Sequence, residues 1–204
     1  MPYAKQHPDQ PRQSRWFSLP RVSAADWDAV RESQIPAGTD IHGEANFVIR
    51  LRPADQFSVL DAGCGTGRVG TELARRDANV VGVDLDPDML IVAQTKAPTL
   101  DWRLGDLTTI ALGRTFDIIL VAGNVMVVVT AGTEATIVAN LAQHLAPSGL
   151  LIAGFRTDRA YFTVADYDAA AAAARLTLVE RWSTWECDPW MPDAPFAVSV
   201  HAFC

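Results

Sequence analysis

Val59-Leu-Asp-Ala-Gly-Cys-Gly-Thr-Gly-Arg68 is the stretch on which the fold of this chain turns. The apolar run that leads into it, residues 57–61, reads as a short buried strand closed by an acid. Gly63, Gly65 and Gly67 follow at alternate positions, and then Val69, Leu73 and Ala74 recur at helical spacing, which predicts a helix over residues 67–77. Glycine permits a tight turn and lets the backbone approach a ligand closely. A helix that opens behind such a turn offers free N–H groups to a negative group. In an open parallel sheet, a ligand held this way lies beyond the carboxyl ends of the strands.

Outward from this stretch the pattern alternates. Strands are expected at residues 79–85, 100–104, 116–122 and 150–155, with helices at 87–97 and 133–146, where Ile137, Leu141 and Leu145 are spaced by four. Pro87 suits the first turn of its helix, with Asp86 as the cap before it. Such alternation implies a parallel sheet with helices on both faces, an α/β doubly wound, Rossmann-like architecture. After residue 155 the order changes. A helix is expected at 164–175, across six consecutive alanines, then two strand-like segments at 176–186 and 196–203 with no helix between them, which form an antiparallel hairpin. Upstream, Ser23 can cap a helix through Trp27 and Val30 to about residue 34, which Pro36, Gly38 and Thr39 end. A second helix covers 43–51 and stops before Pro53. Residues 1–20 read as a loose arm rich in Pro, Gln and Arg, with Trp16 and Phe17 as anchors.

The strand ends carry acids. Asp84, 21 positions after Gly63, closes the second strand and can accept hydrogen bonds from both hydroxyls of a ribose. The site therefore suits a nucleoside-containing cofactor, a dinucleotide among them. Two details divide these options. Arg68 stands where a dinucleotide fingerprint wants its third glycine or alanine. A further acid, Asp106, follows the third strand in Leu104-Gly-Asp-Leu107 and can accept from an adenine amino group.

With these motifs the chain, over about residues 40–204, resembles the class I S-adenosylmethionine-dependent methyltransferases. The resemblance rests on Val-Leu-Asp-Ala-Gly-Cys-Gly-Thr-Gly, Val-Val-Gly-Val-Asp-Leu-Asp-Pro-Asp-Met-Leu, Leu-Gly-Asp-Leu and Phe-Asp-Ile-Ile-Leu-Val-Ala-Gly-Asn. It implies a seven-stranded sheet, mostly parallel, whose last strand enters antiparallel, in keeping with the C-terminal hairpin. It implies S-adenosylmethionine as cofactor, S-adenosylhomocysteine as product, and methyl transfer by in-line displacement at the sulfonium. By position it places Asp61 near the methionine amino group, and Gly63, Cys64, Gly65 and Gly67 around the cofactor. Asp84 takes the ribose hydroxyls, and Leu85 and Met89 flank the adenine. Asp106 meets the adenine amino group, with Leu107 on the ring. Ala122 to Asn124 lines the methionine moiety. It also implies a segment before the first strand that closes over the cofactor, with His42 and Glu44 as contacts. The chain then divides into an N-terminal arm and helical lid, residues 1–52, and a cofactor-binding domain, residues 53–204, in one compact unit.

No base, nucleophile or metal ligand set stands out, so the catalytic residues are unassigned. Gly123-Asn124-Val125-Met126 stands where an Asn-Pro-Pro-Tyr type motif serves methylation of adenine or glutamine in the family. A small-molecule acceptor follows by elimination. The rivals are a cofactor-binding protein without turnover, an RNA methyltransferase using the basic arm, an aminopropyl transferase and an NAD-dependent oxidoreductase. Asp117 is expected to be structural, Cys64 to point away from the ligand, His201 to pack within the sheet, and Trp182, Trp185 and Trp190 to fill core or interface.

Composition narrows the setting. The chain has 204 residues, 49% hydrophobic and 20% charged, as expected of a folded domain. Its formal charge is −7, spread as +1 over residues 1–52 and −8 over the rest. An acidic protein is a poor default binder of nucleic acid, although Arg12, Arg15 and Arg21 leave room for a local basic patch. Cys64, Cys187 and Cys204 are odd in number and far apart, which fits neither a disulfide framework nor a zinc site and suits a reducing cytoplasm. The N-terminal residues lack the apolar core of a signal peptide. The longest apolar run, residues 118–129, would span about 18 Å as a helix, short of a bilayer of roughly 30 Å.

Overall fold

The structure, a computed structural model, describes residues 14–19, 23–34, 40–52, 56–158 and 161–204. Arg12, Arg21, Pro36, Gly38, Thr39 and Pro53 lie outside the described residues. After a 3-10 turn, Arg15–Ser18, the elements run α1 (Ala24–Gln34), α2 (Gly43–Leu51), β1 (Ser58–Ala62), α3 (Arg68–Arg75), β2 (Asn79–Asp84), α4 (Pro87–Lys96) and β3 (Asp101–Leu104). They continue with β4 (Phe116–Val121), α5 (Val125–Val128), α6 (Glu134–Gln143), β5 (Leu145–Arg156), α7 (Val164–Ala173), β6 (Leu176–Trp182) and β7 (Phe196–Phe203). The seven strands form one sheet in the order β3-β2-β1-β4-β5-β7-β6. β7 runs antiparallel to both its neighbours, and the other pairings are parallel. The expected doubly wound, mostly parallel sheet with a C-terminal antiparallel hairpin is the observed one.

Two apolar cores explain why these segments became strands. Successive side chains of a strand point to opposite faces. Leu60, Val81, Val83, Ile119, Val121 and Leu151 pack with Ile137, Leu141 and Tyr167 of α6 and α7. Val59, Val80, Ile118, Leu120 and Ile152 pack on the other side with Phe47, Val48 and Leu73 of α2 and α3. A strand covered on both faces must be apolar throughout, hence the unbroken Ile118-Ile-Leu-Val121 of β4. β2 contains one forced glycine. A Cβ at Gly82 would lie 2.3 Å from the ring of Trp102, which crosses it from β3 and donates its indole N–H to the Ala97 carbonyl at 2.9 Å.

Several boundaries differ from the sequence expectation: the helix expected to residue 146 stops at Gln143, leaving Leu145 to β5, and the strand expected to residue 186 ends at Trp182. β5 begins at Leu145 instead of residue 150, because the pairing with β4 shifts register between Phe116 and Ile118 and takes in the Pro147-Gly149 region. Residues 125–128, which continue the apolar run of β4, turn into the short helix α5 behind Asn124, whose φ of 68° redirects the chain. Asp117 is structural, as expected: it accepts from the Ser58 N–H at 2.8 Å and the Ser58 hydroxyl at 2.7 Å, tying β4 to β1. Among the described residues no helix is long and apolar enough to cross a membrane.

Candidate functional site

The sheet order reverses direction between β1 and β4, and a crevice opens beyond the carboxyl ends of the strands at that point. The glycine turn sits there. The N–H groups of Gly63 and Cys64 both donate to the Val83 carbonyl, at 2.8 and 3.0 Å, so β2 pins the turn that leaves β1. Gly63 has φ +83°, and a Cβ on it would fall 2.4 Å from Val125. Gly65 has φ +54°, lines the cleft, and leaves its Cβ direction open for at least 4 Å. A side chain at Gly65 would fill the space a ligand needs.

Three acids ring this turn. Asp61 ends β1 and is buried, accepting from the Gly70 N–H at 3.0 Å. Burial raises its pKa from 3.8 to about 7, against the Gly70 hydrogen bond and the Arg68 charge. Asp84 ends β2, and its two oxygens accept from the N–H groups of Gly65 at 2.7 Å and Asp86 at 2.8 Å. Burial raises its pKa too, opposed by those N–H groups. Asp106, after β3, is exposed and accepts from the N–H and hydroxyl of Thr108 through a single oxygen, at 2.8 and 2.7 Å. Leu85, Met89, Leu107 and Ala122 complete the expected set around a cleft of about 1130 Å³, its open mouth included.

Of the residues expected at the site, Gly67 and Asn124 do not line the cleft. Gly67 backs onto Trp102 and Ala93 while starting α3 with φ +74°. Asn124 instead accepts from the Arg156 N–H at 2.8 Å, joining the ends of β4 and β5. Cys64 lines the cleft with its backbone loop, but its thiol turns under the turn toward Gly82, and burial pushes its pKa up. Asp86 caps α4 through the Asp88 N–H at 3.0 Å, as expected. His42 and Glu44 do not line the cleft. Glu44 is buried and clasps Arg68 at 2.6 and 3.2 Å, an anchor rather than a cover. Trp185 packs on Phe47 and across Gly154, and His201 is buried beside Tyr167, both as expected of packing residues.

The residues that sequence reasoning missed come from two places, the segment after β4 (Val125, Val128, Val129, Thr130 and Thr133) and the N-terminal arm. Ser14, Trp16, Trp27 and Asp28 all line the cleft. Asp28 accepts from Thr66 of the glycine turn and pairs with Lys96 of α4. Trp16 donates its indole N–H to Asp86 at 2.8 Å. Arg15 reaches Glu134 of α6 at 3.2 Å and lies 4.3 Å over the ring of Tyr161. Trp16 was legible as an anchor, but its partner, 70 positions away, was not.

A doubly wound sheet with an acid-ringed glycine turn at its reversal point defines a protein that binds a nucleoside cofactor. The family described as "Methyltransferase domain" matches residues 59–149. The crystal structure of a TehB-like SAM-dependent methyltransferase from Corynebacterium glutamicum superposes with a TM-score of 0.80 at 30% identity, over 89% of this chain and 98% of that one. Cypemycin N-terminal methyltransferase from a Streptomyces species is 33% identical over 66% of this chain and 56% of its own length. A dTDP-3-amino-3,4,6-trideoxy-alpha-D-glucopyranose N,N-dimethyltransferase from Streptomyces venezuelae is 29% identical over 56% of this chain and 50% of its own. The chain spans about half the length of these two curated relatives. The chain belongs to the S-adenosylmethionine-dependent methyltransferases.

Proposed function

We propose that this protein transfers a methyl group from S-adenosylmethionine to a small-molecule acceptor. The observation that carries the reading is the convergence of Asp61, Gly65, Asp84 and Asp106 on one cleft at the ends of β1, β2 and β3. The residues present suit that cofactor. Gly65 leaves a cradle that any Cβ would occupy, and Asp61 is a buried carboxyl whose charge burial opposes, suited to an ammonium. Asp84 offers acceptors to ribose hydroxyls, Leu85, Met89 and Leu107 make an apolar slot for a flat base, and Asp106 faces its amino group. Gly63, Cys64 and Ala122 supply backbone and small walls around the sulfur side.

When bound, S-adenosylmethionine supplies an electrophilic methyl group, so the protein needs no nucleophile of its own. What this chain contributes is placement and the exclusion of water. The glycine turn fixes one end of the cleft, and Val125, Val128, Trp16 and Trp27 line the remainder. The named activity of the Streptomyces venezuelae relative, on an amino sugar, supports a small acceptor. So does the state of Arg15, which is held by Glu134 rather than presented to a phosphate backbone. Residues 53–204 form the cofactor-binding unit, to whose core α2 adds Phe47 and Val48, and the described residues of the arm before it contribute Ser14, Trp16, Trp27 and Asp28 to the cleft. The three free cysteines, with the exposed Cys204 among them, suit a reducing cytoplasm.

Thermal denaturation with S-adenosylmethionine, S-adenosylhomocysteine and NAD tests the reading. A ligand at about 100 times its Kd adds roughly 2.7 kcal/mol, which raises Tm by about 5–11 °C for a chain of this size. Shifts with the two adenosyl-sulfur compounds and none with NAD are expected. A shift with NAD alone overturns it.

A further inference from the structure

The sheet ends in β3 on one side and β6 on the other. An edge strand presents a row of N–H and C=O groups that another chain can join. β6 is defended, because its pairing shifts register between Leu178 and Glu180, and such a bulge turns an edge away from further pairing. β3 runs parallel to β2 without such a shift. Gly105, just past its end, gives its N–H to the Asp84 carbonyl of β2 at 2.9 Å. Backbone groups alternate along a strand, so Asp101 and Arg103 address β2 while Trp102 and Leu104 direct theirs to the open side.

The side chains on this edge are ordered in a way that suits one partner. In Leu100-Asp-Trp-Arg-Leu104 a leucine stands at each end, a tryptophan at the centre, and an acid on one side of it answers a base on the other. Such a strand complements its own copy turned through half a circle. With Trp102 opposite the partner's Trp102, Asp101 meets the partner's Arg103 and Arg103 meets the partner's Asp101. Trp102 then exchanges backbone hydrogen bonds with its copy. The charged positions fall in the closer, non-hydrogen-bonded pairs, where Cα atoms lie about 4.5 Å apart. Within one strand the same two positions are roughly 7 Å apart. Arg103 now spans that longer gap, reaching Asp101 at 2.7 Å, and the two side chains are still 45% and 44% exposed. Moving the centre by one residue sets Asp101 against its own copy, or Arg103 against its own, and like charges directly opposite are destabilising. The charges thus select a single register.

Packing leaves this edge open. The Trp102 ring turns inward over Gly82 and beside Ala93 of α4, so the centre of the strand is clear of bulk. Leu104, two positions on and therefore on the same face, is 64% exposed, and Ile91 of α4 is 65% exposed. Among the described residues these are the most exposed of the large apolar side chains.

We infer that β3 is a self-association edge: a second copy of this chain adds antiparallel through β3, in the register that pairs Asp101 with the partner's Arg103. The joint is isologous, so both pairs form together. Antiparallel joining points the carboxyl ends of the two sheets in opposite directions, and each cleft keeps its own mouth. The inference is independent of the cofactor assignment.

Sedimentation velocity on the full chain, over a concentration series reaching the millimolar range, tests it. A species of twice the chain mass should grow with concentration. Arg103→Asp leaves only acids at the charged positions of the joint, and Asp101→Arg only bases, so each alone should weaken dimerisation roughly 10- to 100-fold. Mixed in equal amounts, the two variants should associate as the unaltered chain does, since every acid again faces a base. Both side chains are exposed, so Tm should move by no more than about 2 °C in either variant. Amide exchange at Trp102 and Leu104 should slow as concentration rises, in the unaltered protein and in neither single variant. Val179→Lys, on β6, should leave the dimer intact. A chain that stays monomeric throughout, a dimer indifferent to both charge reversals, a mixture that does not pair, or a dimer lost on Val179→Lys overturns the inference.

Discussion

Arg68 and Glu44 meet side by side, with both terminal nitrogens of the guanidinium on the two carboxylate oxygens, at 2.6 and 3.2 Å. The pair bolts α2 to the first residue of α3, immediately behind the glycine turn, and both side chains are largely withdrawn from water. Removing one partner of such a buried pair is strongly destabilising, at a cost of about 3 kcal/mol. Arg68→Leu should therefore lower Tm by roughly 6–12 °C, measured by thermal denaturation. The double variant Arg68→Leu/Glu44→Leu should recover most of that loss. Equal losses in the single and double variants would show that the helix contact depends on the charges themselves.

Asp61 ties stability and binding to pH in opposite senses. Its folded pKa, about 7, stands above its unfolded value of 3.8. Its contribution to stability is therefore fully present below about pH 4 and is lost as pH rises through about 7. The charge that burial resists is the one an ammonium group wants. S-adenosylhomocysteine should bind more tightly at pH 8 than at pH 6, with proton release, seen as a buffer-dependent enthalpy in titration calorimetry. Asp61→Asn should remove the pH dependence, raise the apo Tm at pH 8 and weaken binding. Affinity that is flat with pH in the unaltered protein would place the ammonium elsewhere.

Asp84→Ala should weaken S-adenosylhomocysteine binding by about 1.5–3 kcal/mol, the worth of hydrogen bonds to a charged group. It also strips acceptors from the N–H groups of Gly65 and Asp86, so the loss should exceed that of Asp84→Asn. An unchanged Kd would remove Asp84 from the ribose site.

Tyr167 offers a control away from the cleft. Its hydroxyl is buried and has no hydrogen-bond partner among the described residues, and burial pushes its pKa above the ordinary tyrosine value. A buried unsatisfied group carries its desolvation cost of about 1–3 kcal/mol uncompensated. Tyr167→Phe should thus be neutral or stabilising in denaturant melts, with ligand affinity unaltered. A clear loss of stability would mean that a bound water satisfies the hydroxyl.

The sheet and the acids were readable in the chain because each contrasts with its surroundings. β1, β2 and β4 are covered on both faces, so their apolar runs stand out, and Asp61 and Asp84 interrupt them at the strand ends. α5 was hidden because Val125–Val128 extends the apolar run of β4, and only the backbone turn at Asn124 separates them. The start of β5 was hidden because a register shift leaves no mark in composition. Contacts at long separation were hidden most of all. Nothing near Ser14 or Arg15 points to Val128 or Glu134, more than 100 positions away. Likewise Glu44 is a helix acid whose partner lies 24 residues on, so its burial as an anchor had no local sign.

The reversal of β7 places its first residue, Phe196, opposite Arg156 at the end of β5. The connection from β6, residues 183–195, therefore returns to the rim where β4 hands over to residues 123–133. Both connections can change length and character while the glycine turn and its acids stay fixed, because neither belongs to the strands that carry them. Natural variation thus has separate territory for innovation and for inheritance, and descendants of one ancestor can diversify in what they accept while inheriting a single cofactor apparatus intact.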